Sequence, residues 1–201
     1  TQENIFYHPD LQFQFPVPED FSIQNQTSAV VMYNEAQDAI MQFTTDSENE
    51  SPEASVNAFL AQEGITVIEQ QNIESSRYNG YRGEATAQMD DGTMLTLQLT
   101  ALAHQGNVYR FLSYSTSAQF EEYEPTFEKI SSGFEELTDR EILNIQPVRL
   151  ELMTTSSRAT FSDILPAELP INITPLDMAI VNQVDLDQII EPGTTLKMPV
   201  Q

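Results

Sequence analysis

The chain has 201 residues, 40% of them hydrophobic, enough for one large domain or two small ones around a real core. Its 31 Asp+Glu against 8 Lys+Arg give a net charge of −23, which repels the phosphates of nucleic acids and anionic lipids and makes both unsuited as partners. With no cysteine, neither a disulfide nor a thiolate-metal site can form.

No apolar run approaches the roughly 20 residues that span a bilayer, so no transmembrane segment is expected. The chain opens Thr-Gln-Glu, without an initiator Met or a signal peptide, as a processed protein or a piece of a longer one would. Charge is unevenly spread. Residues 1–146 hold 24 acids and 5 bases, whereas residues 147–201 hold 7 acids and 3 bases. That step suggests two units.

In chain order, LQFQF (11–15) alternates apolar and polar residues, the mark of a half-buried strand, and Pro16 and Pro18 end it. AVVMY (29–33) and AIMQF (39–43) read as two further strands joined by the turn NEAQD. The acidic DSENESPE leads into a short helix, with Ser51 as N-cap, Pro52 in its first turn and Gly64 as the stop. Val56, Phe59 and Leu60 give that helix an apolar face.

Residues 66–116 read as a meander with turns at 90–92 and 104–107, in which Leu95, Leu97 and Leu99 share one face. A long helix is then expected from about Ser117 to Leu137. Its stripe of Phe120, Tyr123, Phe127, Ile130, Phe134 and Leu137 steps by three and four and should lie across the sheet. TDREILNIQP (138–147) is the connector.

Beyond it, VRLELMTT reads as a strand, ATFSDILP and TPLDMAIVNQ as short helices, and TTLKMPV as a strand. The expected class is therefore α+β: an antiparallel sheet with helices packed on it (1–137), the connector (138–147), and a small βααβ unit (148–201). In that unit, strand 148–153 should pair with strand 195–200. Ile180, Val181, Ile189, Leu196 and Met198 should form its core, and a unit so small should lean on its neighbour.

Chemical candidates are few. Glu121, Glu122, Glu124 and Glu128 crowd one helix but lie mostly off the aromatic stripe, as a solvated face would. DSENE (46–50) and MDDGT (89–93) carry calcium-type oxygens, yet neither matches an EF-hand loop, and Asp-Gly also favours hairpin turns. His8 and His104 sit in turn contexts and read as ordinary loop histidines. No GxSxG elbow or phosphate-cradling glycine loop occurs.

Two stretches carry a resemblance. LDMAIVNQVDLDQIIEPGTTLKMP, with a helix ending at Asn182, an acidic loop and Pro192-Gly193 before the last strand, resembles a LysM module. FYHPDLQFQFPVPEDF, AQDAIMQF, NVYRFLSYS and FEKISSGFEELTDREILNIQPVRL resemble the region downstream of the catalytic domain in HtpX/BepA-like bacterial zinc metallopeptidases, peptidase family M forty-eight. In order and spacing the similarity spans residues 6 to 200.

That family's chemistry uses an HExxH helix, which is absent here. The resemblance thus implies a non-catalytic C-terminal accessory region, with no cofactor of its own and zinc in a separate protease domain of the full-length chain. That protease domain is the implied partner, along with a protein substrate or peptidoglycan. The implied location is the bacterial cell envelope, periplasmic or lipoprotein-anchored. LysM modules hold N-acetylglucosamine polymers between two loops, here 155–160 and 184–189, which makes Thr155, Ser157, Arg158, Asn182, Asp185 and Asp187 the candidate glycan-binding residues. The family's Gly-Asp-Thr is missing from the first loop, and packing or docking is the role this favours.

Overall fold

The computed structural model describes residues 4–74, 78–144, 148–170 and 173–200. The chain divides into two compact units, Thr1–Leu143 and Asn144–Gln201. It is an α+β protein built on a large antiparallel sheet.

In the first unit the order is β1 (Ile5–His8), β2 (Phe13–Pro16), β3 (Phe21–Asn25), β4 (Val30–Asn34), β5 (Ala39–Asp46) and α1 (Pro52–Leu60). Then come β6 (Ile65–Glu74), β7 (Asn79–Gln88), β8 (Met94–His104), β9 (Asn107–Thr116), α2 (Phe120–Ser132), β10 (Glu135–Glu136) and α3 (Arg140–Leu143). Seven strands form one sheet in the order β3-β4-β5-β9-β8-β7-β6, and β1, β2 and β10 form a smaller one.

Both faces of the large sheet are covered, which follows from period-2 alternation. On β9, Tyr109 and Phe111 enter one cluster with Phe13 and Phe15 of β2 and Phe120, Phe127 and Ile130 of α2. Val108, the residue before Tyr109, turns to the opposite cluster with Leu97 and Leu99 of β8 and Val56, Phe59 and Leu60 of α1. Phe13 alone meets Phe43, Tyr109 and Phe134 at ring separations of 5.1 Å each. α1 comes close to the sheet at Gly83, where an added Cβ would sit 2.6 Å from Val56 and 2.7 Å from Leu60. Only glycine leaves room for that approach.

The start of α1 follows the sequence, since Ser51 Oγ accepts the Ala54 N–H at 3.1 Å and Pro52 sits in the first turn, but the helix ends at Leu60 with Ala61 as its C-cap, before the expected stop at Gly64. The helix expected over 117–137 is shorter, Phe120–Ser132, and the chain changes state at Gly133. A side chain at 133 would lie 2.5 Å from the Pro16 ring, and Glu135 and Glu136 pair with Gln14 and Phe13 of β2. The Leu137 N–H donates to the Gln12 carbonyl at 2.9 Å. Phe134 and Leu137 are buried as expected, but Phe134 reaches the core from the Gly133–β10 turn and Leu137 from just past β10, neither from a helix. The connector carries α3, and its residues 145–147 lie outside the described residues.

The second unit runs β11 (Arg149–Thr154), β12 (Ala159–Thr160), α4 (Phe161–Ile164), α5 (Pro175–Asn182), β13 (Ile189–Ile190) and β14 (Thr195–Val200). β11 pairs antiparallel with β14 from Arg149↔Val200 to Thr154↔Thr195, and β12 pairs with β13. A reciprocal capping box starts α5: Thr174 Oγ1 accepts the Asp177 N–H, and Asp177 Oδ2 accepts the Thr174 N–H. The Thr174 hydroxyl, donating to Asp177 Oδ2 at 2.6 Å, and then the Thr174 N–H hold the Asp177 carboxyl below its ordinary range.

The core of this unit differs from the expected one. Leu196 and Met198 are buried, joined by Phe161, Met178, Ala179 and Ile190. Ile180 and Ile189 face outward, 67% and 49% exposed, and Val181 is half-buried. With Met178, Ala179 and the pinned side chain of Asn182 on the inner face of α5, Ile180 is carried to the outside by the helical period. In the two-residue ladder β12–β13, Ile190 points in, so its neighbour Ile189 must point out.

Candidate functional site

The two loops of the second unit lie side by side. Besides the β12–β13 ladder, the Phe161 N–H donates to the Gln188 carbonyl and the Ser162 N–H to the Leu186 carbonyl, both at 2.9 Å. The six candidate glycan residues nevertheless do not share one groove. Thr155 and Ser157 line a hollow of about 230 Å³, and Asp185 and Asp187 line another of about 430 Å³ beside α5.

Thr155 is buried and works for the fold. Its hydroxyl donates to the Glu191 carbonyl at 2.8 Å and accepts the Thr194 N–H at 3.2 Å. It thereby ties the first loop to the Pro192-Gly193 turn, where Gly193 holds a φ of +87°. Asn182 is similarly committed, its amide paired with the Lys197 backbone at 2.7 and 2.9 Å. Arg158 Nε donates to Glu191 Oε1 at 2.9 Å on the open surface, an ion pair of small energetic weight. Ser157, Asp185 and Asp187 are exposed.

The larger hollow contains what the sequence reading missed. Its wall is Leu176 and Ile180, one helical turn apart on α5 and 60% and 67% exposed, with Val184 and Leu186 beneath. The signal was present in PLDMAIVN, which carries more apolar side chains than one face of an eight-residue helix can bury.

Two carboxylates of the first unit, Asp38 and Asp46, are engaged by neighbouring polar groups. Asp38 accepts Asn34 Nδ2 at 2.6 Å, the Tyr123 hydroxyl at 2.8 Å and Gln119 Nε2 at 2.9 Å. These bonds, Asn34's foremost, hold its carboxyl below the ordinary range and tie the β4–β5 turn to α2. Asp46 sits deeper. Burial would raise its carboxyl, but bonds from Ser55 Oγ, Asn49 Nδ2 and the Glu48 and Asn49 amides outweigh it and hold it at about 2.

In each calcium-type stretch one carboxylate thus has local work, since Asp91 Oδ1 likewise accepts its own turn's Thr93 N–H at 2.9 Å. Among the described residues, no three His, Cys, Asp or Glu are grouped to hold a metal ion. His8 Nδ1 accepts the Leu11 N–H at 3.2 Å at the end of β1, and His104, at the end of β8, packs on Phe134 at 5.6 Å. No described helix is long and apolar enough to cross a membrane.

No protein-family model matches this chain, and no curated protein matches it. Among solved structures it is similar to cyanobacterial PsbP (CyanoP) from Synechocystis sp. PCC 6803, with a TM-score of 0.52 and 12% identity over 66% of this chain and 91% of that one. LpqN of Mycobacterium tuberculosis, involved in cell envelope biogenesis, gives 0.45 at 12% identity over 61% and 81%. The Saccharomyces cerevisiae Ran-binding protein Mog1p gives 0.45 at 7% over 65% and 93%. At such identity the first likeness shows a shared fold and nothing of activity. The other two are too loose to argue from.

Proposed function

We propose that this chain is a non-catalytic accessory region of an HtpX/BepA-like bacterial zinc metallopeptidase, acting at the cell envelope in the periplasm or on a lipoprotein anchor. Its second unit is a LysM-like docking piece that supports the catalytic domain or positions a protein substrate. The supporting observation is the order β11-β12-α4-α5-β13-β14 of that unit, two short helices between strands closed by the β11–β14 ladder, on the stretch that carries the LysM resemblance. The engaged carboxylates of the first unit favour a scaffold role over chemistry.

Reading the frame upstream of Thr1 tests this directly. An in-frame HExxH helix is the expected result, and a frame that opens on a secretion signal just before Thr1, with no such helix, overturns it. The chain alone should not cleave casein, and chelator-sensitive cleavage by the pure chain would contradict the accessory role.

Peptidoglycan binding is the second reading, favoured by the adjacency of loops 155–160 and 184–189. Against it, Thr155 and Asn182 have their polar atoms occupied by backbone. Titration with chitin oligomers, followed by NMR, separates the two. Saturable shifts confined to both loops would restore sugar recognition.

A further inference from the structure

We propose that the hollow beside α5 is a docking groove for a cationic, apolar peptide segment of another protein. The inference rests on the surface of the second unit alone and does not depend on the protease reading.

α5 has two apolar faces. Met178 and Ala179 enter the core, while Leu176 and Ile180 stand outward one turn apart and form a wall over half-buried Val184 and Leu186. The open hollow, about 430 Å³, accommodates a few side chains. Apolar residues at i and i+3 or i+4 of a bound segment match such a wall.

Charge selects the occupant. Asp185 and Asp187 are exposed on the rim, and neither Lys nor Arg lines the groove. Carboxylates beside an apolar wall, on a chain of net charge −23, attract Lys and Arg and repel anionic lipid. A second copy does not fit, because the chain's 8 Lys+Arg include no two neighbours and two copies repel.

The test is an NMR titration of the isotope-labelled full chain with a synthetic amphipathic Leu/Lys peptide of about fourteen residues, against a Leu/Glu peptide of equal length. The expected result is saturable shifts within residues 176–188 for the Leu/Lys peptide alone. The double variant Leu176→Ser, Ile180→Ser should bind about tenfold more weakly. Both side chains are exposed, so unchanged shifts elsewhere will verify its fold.

Shifts spread along the acidic helix α2, or an affinity unaltered by the double variant, would reduce the effect to bulk charge attraction and overturn the proposal. Equal binding of the Leu/Glu peptide, or saturable shifts here with chitin oligomers and none with Leu/Lys, would also overturn it. The protease reading is decided by the upstream frame, so either idea can fail without the other.

Discussion

Asn182 treats Lys197 as a strand partner. Its Oδ1 accepts the Lys197 N–H at 2.7 Å and its Nδ2 donates to the Lys197 carbonyl at 2.9 Å, the pair of bonds one peptide offers another across a ladder. The Asn182 Nδ2 also reaches the Met178 carbonyl at 2.9 Å, so a single side chain fixes both the end of α5 and its rotation against β14.

Replacing Asn182 by Ala leaves a backbone donor and acceptor without that partner, at a cost of about 1–3 kcal/mol. A unit of this size has little reserve. Amide exchange at Lys197 should accelerate strongly in the variant while the first unit keeps its protection. Unchanged exchange would mean that the amide clamp contributes nothing.

The rotation of α5 predicts an asymmetry between neighbours. Met178→Ala empties a core position and should destabilise the second unit by about 2–5 kcal/mol. Ile180→Ala, on the outer face, should change it by less than about 0.5 kcal/mol. Chemical denaturation followed by second-unit methyl resonances will read both. A larger effect at Ile180 would place it in the core after all.

In the first unit, Phe127 is fully buried between α2 and the large sheet, beside Phe120 at 5.9 Å. Phe127→Ala should cost about 3–5 kcal/mol in chemical denaturation. A loss under about 1 kcal/mol would show that the stripe does not carry the packing.

Asp46 makes the first unit acid-sensitive. Its carboxyl is held at about 2 in the fold against an ordinary 3.8, so the folded state binds the proton less tightly than the unfolded chain. The resulting stabilisation, about 2 kcal/mol, is present above pH 4 and is lost as the pH falls toward 2. Asp46→Asn should be destabilised by that amount at pH 7, and the gap to the parent should close as the pH approaches 2. A gap independent of pH would assign the effect to shape rather than charge.

Glu84 works in the opposite direction. Burial, then the charges of Glu124 and Glu69, raise its carboxyl above the ordinary 4.5, with Arg82 opposing. The fold therefore binds this proton more tightly, and stability declines as the pH rises through and beyond 4.5. Glu84→Gln should raise the denaturation midpoint at pH 7 and lose the advantage below pH 4.5. A lower midpoint at neutral pH would show that the ionised carboxylate makes a needed bond.

Much of this fold is written in local pattern. The alternation of β4, β5 and β8, the Ser51-Pro52 start of α1, the 90–92 and 104–107 turns and the strands that close the second unit depend on near neighbours, whose sterics and hydrogen bonds are set by short stretches of sequence. Hydrophobic spacing alone misplaced the end of α2, because Phe134 is seven residues beyond Phe127 and is buried whether the chain stays helical or turns into a strand. Contacts from far along the chain decide it: the Pro16 ring against Gly133, and the Gln12 carbonyl that takes the Leu137 N–H. The same holds at the candidate groove. Sequence supplied an apolar helix and an acidic loop, but which side chains face out depends on Lys197, fifteen residues away, pinning Asn182. A helix's composition is local, whereas its rotation belongs to whatever it packs against.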